Sequence, residues 1–193
     1  MARELAAAFG APLVTSTVSR LLVDLNRSIG HSQLFSAATR NAPPDLRTKI
    51  LERHYRPYRA RVERLVRQSI SRGQRVIHIA SHSFTPELNG KVRRADVGLL
   101  YHPGRRGEAG LCARWKAMLA AFAPAFQVRR NYPYAGKGDG LTACLRQYFP
   151  PGNYIGIELE VNQGIVGAAD RRWAVLRGAL IDSLRAACAP GGS

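Results

Sequence analysis

Cysteine is rare in this chain and badly placed for scaffolding. Cys112, Cys144 and Cys188 are odd in number and far apart. No Cys-x-x-Cys pair exists, so neither a zinc ribbon nor a disulfide framework is indicated, and a reducing compartment is the simplest setting. Long apolar runs are missing too: nothing approaches the roughly 18–20 residues that span a bilayer. The amino-terminal MARELAAAFGAPLV carries Glu4 early and has no apolar core behind basic residues, which argues against a signal peptide and for a helix already under way. These absences predict a cytoplasmic protein with no membrane partner. Acid is the other scarcity. Asp+Glu number 13 against 29 Lys+Arg, a formal charge of +16. Such a balance attracts phosphates, acidic membranes or anionic substrates. Yet no long Lys/Arg run or aromatic-interleaved basic motif marks a nucleic-acid reader. Solvated arginine and recognition of a small anion therefore rank ahead of nucleic acid, which is not the expected partner.

What is present suits one folded domain. The chain has 193 residues, 46% hydrophobic and 22% charged, enough for a sizeable core. Its organising stretch runs from Arg75 to Tyr101. Val76, Ile77 and Ile79 read as a buried strand that ends in Ser81, His82, Ser83 and Phe84. Breaks follow at Thr85-Pro86 and Asn89-Gly90, then a second apolar run from Val97 to Tyr101. Upstream, Ala2–Phe9 reads as a helix stopped by Gly10, Pro12–Thr15 and Arg20–Arg27 as short strands, and Ser28–Pro44 as a loop. Asp45 caps a long helix from Leu46 to Arg72, which Pro57 should kink or divide. Downstream come a helix from Glu108 to Ala123, a strand from Phe126 to Val128 and a turn-rich loop from Asn131 to Gly140. A short helix from Leu141 to Phe149, an alternating strand from Tyr154 to Val161 and a closing helix from Asp170 to Cys188 complete the pattern. Strands alternating with helices predict an α/β sheet with helices on both faces. Residues 1–189 are expected to form one domain, with 190–193 a flexible tail.

Three strand ends carry polar groups: Asp24, Asn26 and Arg27; His82; Glu158 and Glu160. In a parallel sheet those ends share an edge, where ligands bind. Glu158 and Glu160 are two apart and point to one face of their strand. Two such like charges raise one pKa unless a cation or metal intervenes. His82 either offers a ring nitrogen to a metal, carries a proton, or is held by loop carbonyls. Each carboxylate either serves a site or pairs with one of the many arginines. Together a metal ligand, a carboxylate base and a carboxylate-gripping arginine make a hydrolase site for a small anionic amide.

The blocks SRLLVDLNR (Ser19–Arg27), HYRPY (His54–Tyr58), SHSFTPELNG (Ser81–Gly90), NYPYAGKGDGLT (Asn131–Thr142) and IELEVNQ (Ile157–Gln163) occur in this order over most of the chain. They resemble the N-formylglutamate amidohydrolase family, most specifically in His-Ser-Phe-Thr-Pro and Asp-x-Asn-Arg. The resemblance implies a three-layer α/β/α fold around a mixed, largely parallel sheet, similar to zinc carboxypeptidases and aspartoacylase-like deacylases. It implies zinc-dependent hydrolysis of the amide bond of a small anionic N-acyl (N-formyl) amino acid. It implies one zinc with His82 as ligand, and Glu160 as general base with Glu158 second to it. Asn26 and Arg27 are implied to hold the substrate carboxylate, with Arg20 as a second positive charge and Tyr134 as a lid or substrate-side wall. In that family the first zinc ligands lie on an amino-terminal histidine-bearing turn followed by an acidic residue. Here no histidine precedes His31, and Glu4 is the only acid before Asp24. The remaining ligands are therefore expected on an amino-terminal segment that this chain lacks. Two other readings stand beside the hydrolase: a non-catalytic small-anion binding domain that kept the arginines and lost the metal, and a basic nucleic-acid-associated protein.

Overall fold

The structure, a computed structural model, describes residues 1–166 and 171–189. In chain order its elements are α1 (Ala2–Phe9), α2 (Pro44–Ile50), a π-turn (Leu51–Tyr55), α3 (Arg56–Ser71), β1 (Val76–Phe84), β2 (Glu87–Leu88), β3 (Lys91–Val92), β4 (Val97–Leu100), α4 (Arg106–Phe122), β5 (Val128–Arg130), α5 (Leu141–Tyr148), β6 (Tyr154–Asn162), α6 (Gln163–Val166) and α7 (Arg171–Cys188). Contacts divide them into two units. The first comprises Met1–Ala11, Ile77–Gly138 and Ile155–Ser193; the second comprises Pro12–Val76 and Asp139–Tyr154. Asp170, read from the sequence as the start of the closing helix, and the tail 190–193 lie outside the described residues.

The first unit is built on a sheet of order β1-β6-β4-β5. β4 and β5 run parallel, and β4 and β6 antiparallel. β1 runs in the direction of β6: Val76 N donates to Asn153 O at one end, and Gln163 Nε2 to Ser83 Oγ at the other. The sheet is thus mixed, in an α/β fold. Strand alternation divides its two faces. Ile155, Ile157, Leu159 and Val161 of β6, with Val97 and Leu99 of β4, pack on Leu111, Trp115 and Leu119 of α4 and Leu176 and Leu180 of α7. Trp115 is fully buried, and its indole N–H donates to Ser183 Oγ at 3.0 Å. Each such large side chain contributes about 1.5–3 kcal/mol by leaving water. α1 is held to α7 by an ion pair between Glu4 and Arg177. β2 and β3 form a separate hairpin whose Asn89 and Gly90 both take positive φ, 52° and 72°, the Asn-Gly turn that suits a two-residue hairpin.

β1 corrects one expectation. It is an edge strand rather than a buried one, and Ile77 remains 40% exposed. An apolar β-branched run looks the same in either position; only the number of neighbouring strands distinguishes them.

In the second unit Val62 and Val66 of α3 pack on Leu141, Leu145, Phe149 and Tyr154, while Val23, Leu34, Ile50 and Tyr55 form another cluster. Pro57 does not break the helical rod. It sits directly after the π-turn, and the rod continues through it. The wider turn accommodates one extra residue in the rod. The expected strands at Pro12–Thr15 and Arg20–Arg27 are absent; both stretches are turns and coil. The cause is Asp24. Its Oδ1 accepts Asn26 N at 2.9 Å and its Oδ2 accepts Arg20 Nη2 at 2.6 Å, a local pattern that competes with any ladder.

Much of the arginine has structural employment. Guanidinium groups lie over aromatic rings at Arg67–Phe149, Arg172–Phe126, Arg177–Trp173 and Arg185–Phe9, at 5.4–5.5 Å from the ring centroids.

Candidate functional site

On the sheet face turned away from α4 stand Glu158 and Glu160. Glu160 lies opposite Gly98 in the β4–β6 ladder, and Glu158 opposite Leu100. His82 shares this face by alternation. Ile79 of β1 packs into the helix-side core, so His78, His82 and Phe84 point the other way, and Phe84 meets the ring of Tyr132 edge-on at 6.4 Å. The carboxyl ends of β1 and β6 lie side by side through the Gln163–Ser83 hydrogen bond. His82 and Glu160 are therefore neighbours at one sheet edge. His82 Nε2 and Glu160 Oε2 are sealed from solvent, whereas Glu158 is half-buried.

The loop 131–136 roofs this face. Asn131 Oδ1 accepts Tyr101 N at 3.0 Å and Gly136 N at 3.1 Å, and Asn131 N donates to Leu99 O. Two glycines make the seating possible. A Cβ at Gly98 would strike the carbonyl oxygen of Tyr132, and one at Gly136 would strike the backbone of Tyr101 and Leu100. Tyr134, 46% exposed, stacks under Arg93 at 5.0 Å and accepts a hydrogen bond from Arg93 Nη1 at 3.0 Å. The tyrosine thus joins its loop to the segment after β3. A shallow cleft of about 400 Å³ opens beside it, lined by Leu88, Lys91, Arg93, Tyr132 and Pro133 among others.

Asn26, Arg27 and Arg20 belong to the second unit, in a turn rather than at a strand end. Arg27 Nη1 donates to Asp139 O at 3.0 Å, its Nε stands 4.0 Å from Asp24 Oδ2, and its own carbonyl accepts Tyr55 OH at 2.7 Å. Asn26 Oδ1 accepts Leu141 N at 2.8 Å, so Asn26 caps α5 from a distant part of the chain. Its amide nitrogen makes no hydrogen bond among the described residues. Arg20 is spent on Asp24 and is largely exposed, with 74% of its side chain accessible.

Burial pushes the Asp139 carboxyl up. The hydrogen bonds from Ser28, then the charges of His31 and Arg27, outweigh that and hold it below the usual range. Burial raises the Tyr55 phenol, against the opposing charge of Arg59, which keeps it a hydrogen-bond donor to Arg27.

Asp139, Asn131 and Arg93 were not singled out in the sequence; Asp24 was, as a strand-end group, and it proves to organise a turn instead. Asn131 had a signal, a turn-prone residue opening a Gly-Pro-rich loop, and it takes a φ of 49°. Among the described residues no three His, Cys, Asp or Glu side chains gather to hold a metal. His82 and Glu160 offer one nitrogen and one carboxylate, part of a zinc ligand set and not a whole one.

The family model described as N-formylglutamate amidohydrolase matches residues 1–166. A gene product of Agrobacterium tumefaciens has a similar crystal structure, with a TM-score of 0.80 and 26% identity over 96% of this chain and 74% of that one. The structure of an N-formylglutamate amidohydrolase from Ralstonia eutropha JMP134 shares the fold, with a TM-score of 0.72 and 20% identity over 96% of this chain and 81% of that one. No curated protein matches the chain.

Proposed function

The chain belongs to the N-formylglutamate amidohydrolase family, and from that premise we propose that it hydrolyses the amide bond of a small anionic N-acyl amino acid, N-formylglutamate first among them. The observation that carries the proposal is the placing of His82, Glu158 and Glu160 on one sheet face, with His82 and Glu160 at its edge. Water adds to the acyl carbon and the C–N bond breaks, giving a carboxylic acid and an amino acid. Glu160 takes the water proton and returns it to the leaving amine, with Glu158 as the second carboxylate. Arg27 and the free amide nitrogen of Asn26 hold the substrate carboxylate. Arg20, largely exposed, is the second positive charge of this reading despite its pairing with Asp24, and Tyr134 walls the substrate side.

Zinc enters the proposal through His82, the ligand this chain offers it. Three donors do not gather among the described residues, so the proton chemistry rests on Glu160. No described helix is long and apolar enough to cross a membrane; the substrate proposed is a small molecule of the cytoplasm. The same shortage of donors favours a second reading, in which the Asn26–Arg27 turn binds small anions without turnover.

The test is release of glutamate from N-formylglutamate, measured with and without added zinc beside calorimetric binding. Glu160→Gln should lower turnover about a hundredfold or more and leave binding in place, since an amide cannot accept the proton. Unchanged turnover in Glu160→Gln would remove Glu160 from its role. Binding without turnover under every metal condition would establish the second reading.

A further inference from the structure

Most arginines of the second unit have an intramolecular side-chain partner; six do not, and five of these lie along or just past one helical rod. We propose that Arg53, Arg61, Arg64, Arg72 and Arg75 form a docking stripe for the phosphate backbone of a nucleic acid.

The stripe follows from helical phase. Val62 and Val66 define the buried side of α3, at 6% and 5% exposure. Arg61, Arg64, Gln68 and Arg72 recur at steps of three, four and four, which draws one line along a helix. All four are exposed. The π-turn winds one more residue into the rod ahead of Pro57 and so carries Arg53 round towards the same line. Arg75 follows just past the helix end and is exposed as well. At 1.5 Å per residue, Arg53 to Arg72 spans about 28 Å, or about eight steps of a duplex at 3.4 Å each.

The carboxylates of this unit are all engaged elsewhere. Asp24 holds Arg20, Asp45 faces Lys49, Glu52 pairs with Arg56, Glu63 with Arg67, and Asp139 accepts Ser28 N. Other arginines of the unit are occupied as well: Arg59 on the Tyr55 ring and the carbonyls of Leu25 and Asn26, Arg47 over Phe35, and Arg67 over Phe149. Among the described residues the side chains of the stripe make no ion pair or ring contact. A row of exposed guanidinium groups without fixed counterions is open to an anion outside the unit, and their fork matches phosphate oxygens two at a time.

A membrane fits less well. A helix lying on a bilayer inserts an apolar face, and α3 spends its apolar face on Leu141, Leu145 and Phe149. Contiguous basic runs are the sequence sign of a nucleic-acid surface. This row is spread over five helical turns, so such a scan passes over it.

The experiment is fluorescence anisotropy of the full chain with a labelled DNA duplex, an RNA duplex and single-stranded RNA, from about 50 to about 200 mM salt. Five phosphate contacts would weaken DNA binding a few hundredfold over that range, from a slope of about −0.9 per contact. The triple variant Arg61→Gln, Arg64→Gln, Arg72→Gln should reduce the slope by about 2.7. Removing equal charge at exposed Arg3, Arg106 and Lys116 should leave most of it, with circular dichroism confirming that both variants fold. Relative affinity for the three probes identifies the nucleic acid. Equal loss in both triple variants, or no binding at about 50 mM salt, would overturn the proposal. So would stripe-dependent binding to phosphatidylglycerol vesicles with none to nucleic acid.

Discussion

Asn26 does two jobs with two different atoms, and substitution can separate them. Its Oδ1 caps α5 by accepting Leu141 N, and Leu141 is 4% exposed. Its Nδ2 is the atom assigned to a substrate carboxylate. Asn26→Ala removes both. The lost cap costs about 1 kcal/mol, and a buried N–H left without water raises this to about 2 kcal/mol. For a chain of this size the melting temperature should fall by about 2–8 °C. Asn26→Asp keeps the acceptor and adds a negative charge at the amino end of α5, which favours the helix, while removing the donor and placing a carboxylate where a carboxylate must bind. It should melt at or above the parent temperature. N-formylglutamate binding, read by calorimetry, should weaken about ten- to a hundredfold, the value of a hydrogen bond to a charged group. Asn26→Asp that binds as well as the parent would confine Asn26 to its structural job. Asn26→Ala that melts like the parent would refute the capping argument itself.

Gly136→Ala should destabilise the first unit by about 1–3 kcal/mol, because the new methyl meets rigid β4 backbone rather than a movable side chain. Gly152→Ala, with open space around it, is the matched control, and equal melting of the two would show that the loop is not seated as described. Asp139 supplies a pH dependence with a definite sign. Its folded carboxyl holds a proton less readily than the unfolded one, whose ordinary value is near 3.8. Its stabilising share is therefore present above that value and lost as pH falls through the lower folded value. Urea unfolding of Asp139→Asn should show lower stability than the parent near neutral pH and a narrowing gap below 3.8. A gap that stays constant with pH would mean that charge is not what Asp139 contributes.

The sequence pattern is easiest to read where one element settles its own fate. The helix read from Glu108 with Leu111, Trp115 and Leu119 in line is α4, and the alternating YIGIELEV is β6. Alternation alone also placed Glu158 and Glu160 on one face. What escaped depends on partners far along the chain. Arg20–Arg27 has the apolar content of a strand, but Asp24 can satisfy neighbouring N–H groups itself, and that choice shows only in three dimensions. β1 carries the same β-branched residues at an edge that it would carry at a centre. Asn26 caps a helix that begins more than a hundred positions later, a pairing invisible to any local window. Pro57 looked like an interruption because the extra residue wound into the preceding turn leaves no compositional mark.

The guanidinium groups over Phe9, Phe126, Phe149 and Trp173 bear on how far the composition of this chain could drift. Each of these arginines is at once a charge facing water and a lid on a ring. Exchange for lysine would preserve the isoelectric point while baring the flat faces beneath, because a compact ammonium covers less of a ring than a planar guanidinium does. Each exchange forfeits about 0.5–1 kcal/mol at such exposed positions. It also adds a sticky spot that the net charge does not register. Colloidal behaviour in this protein is therefore written in the kind of cation rather than in the number of them.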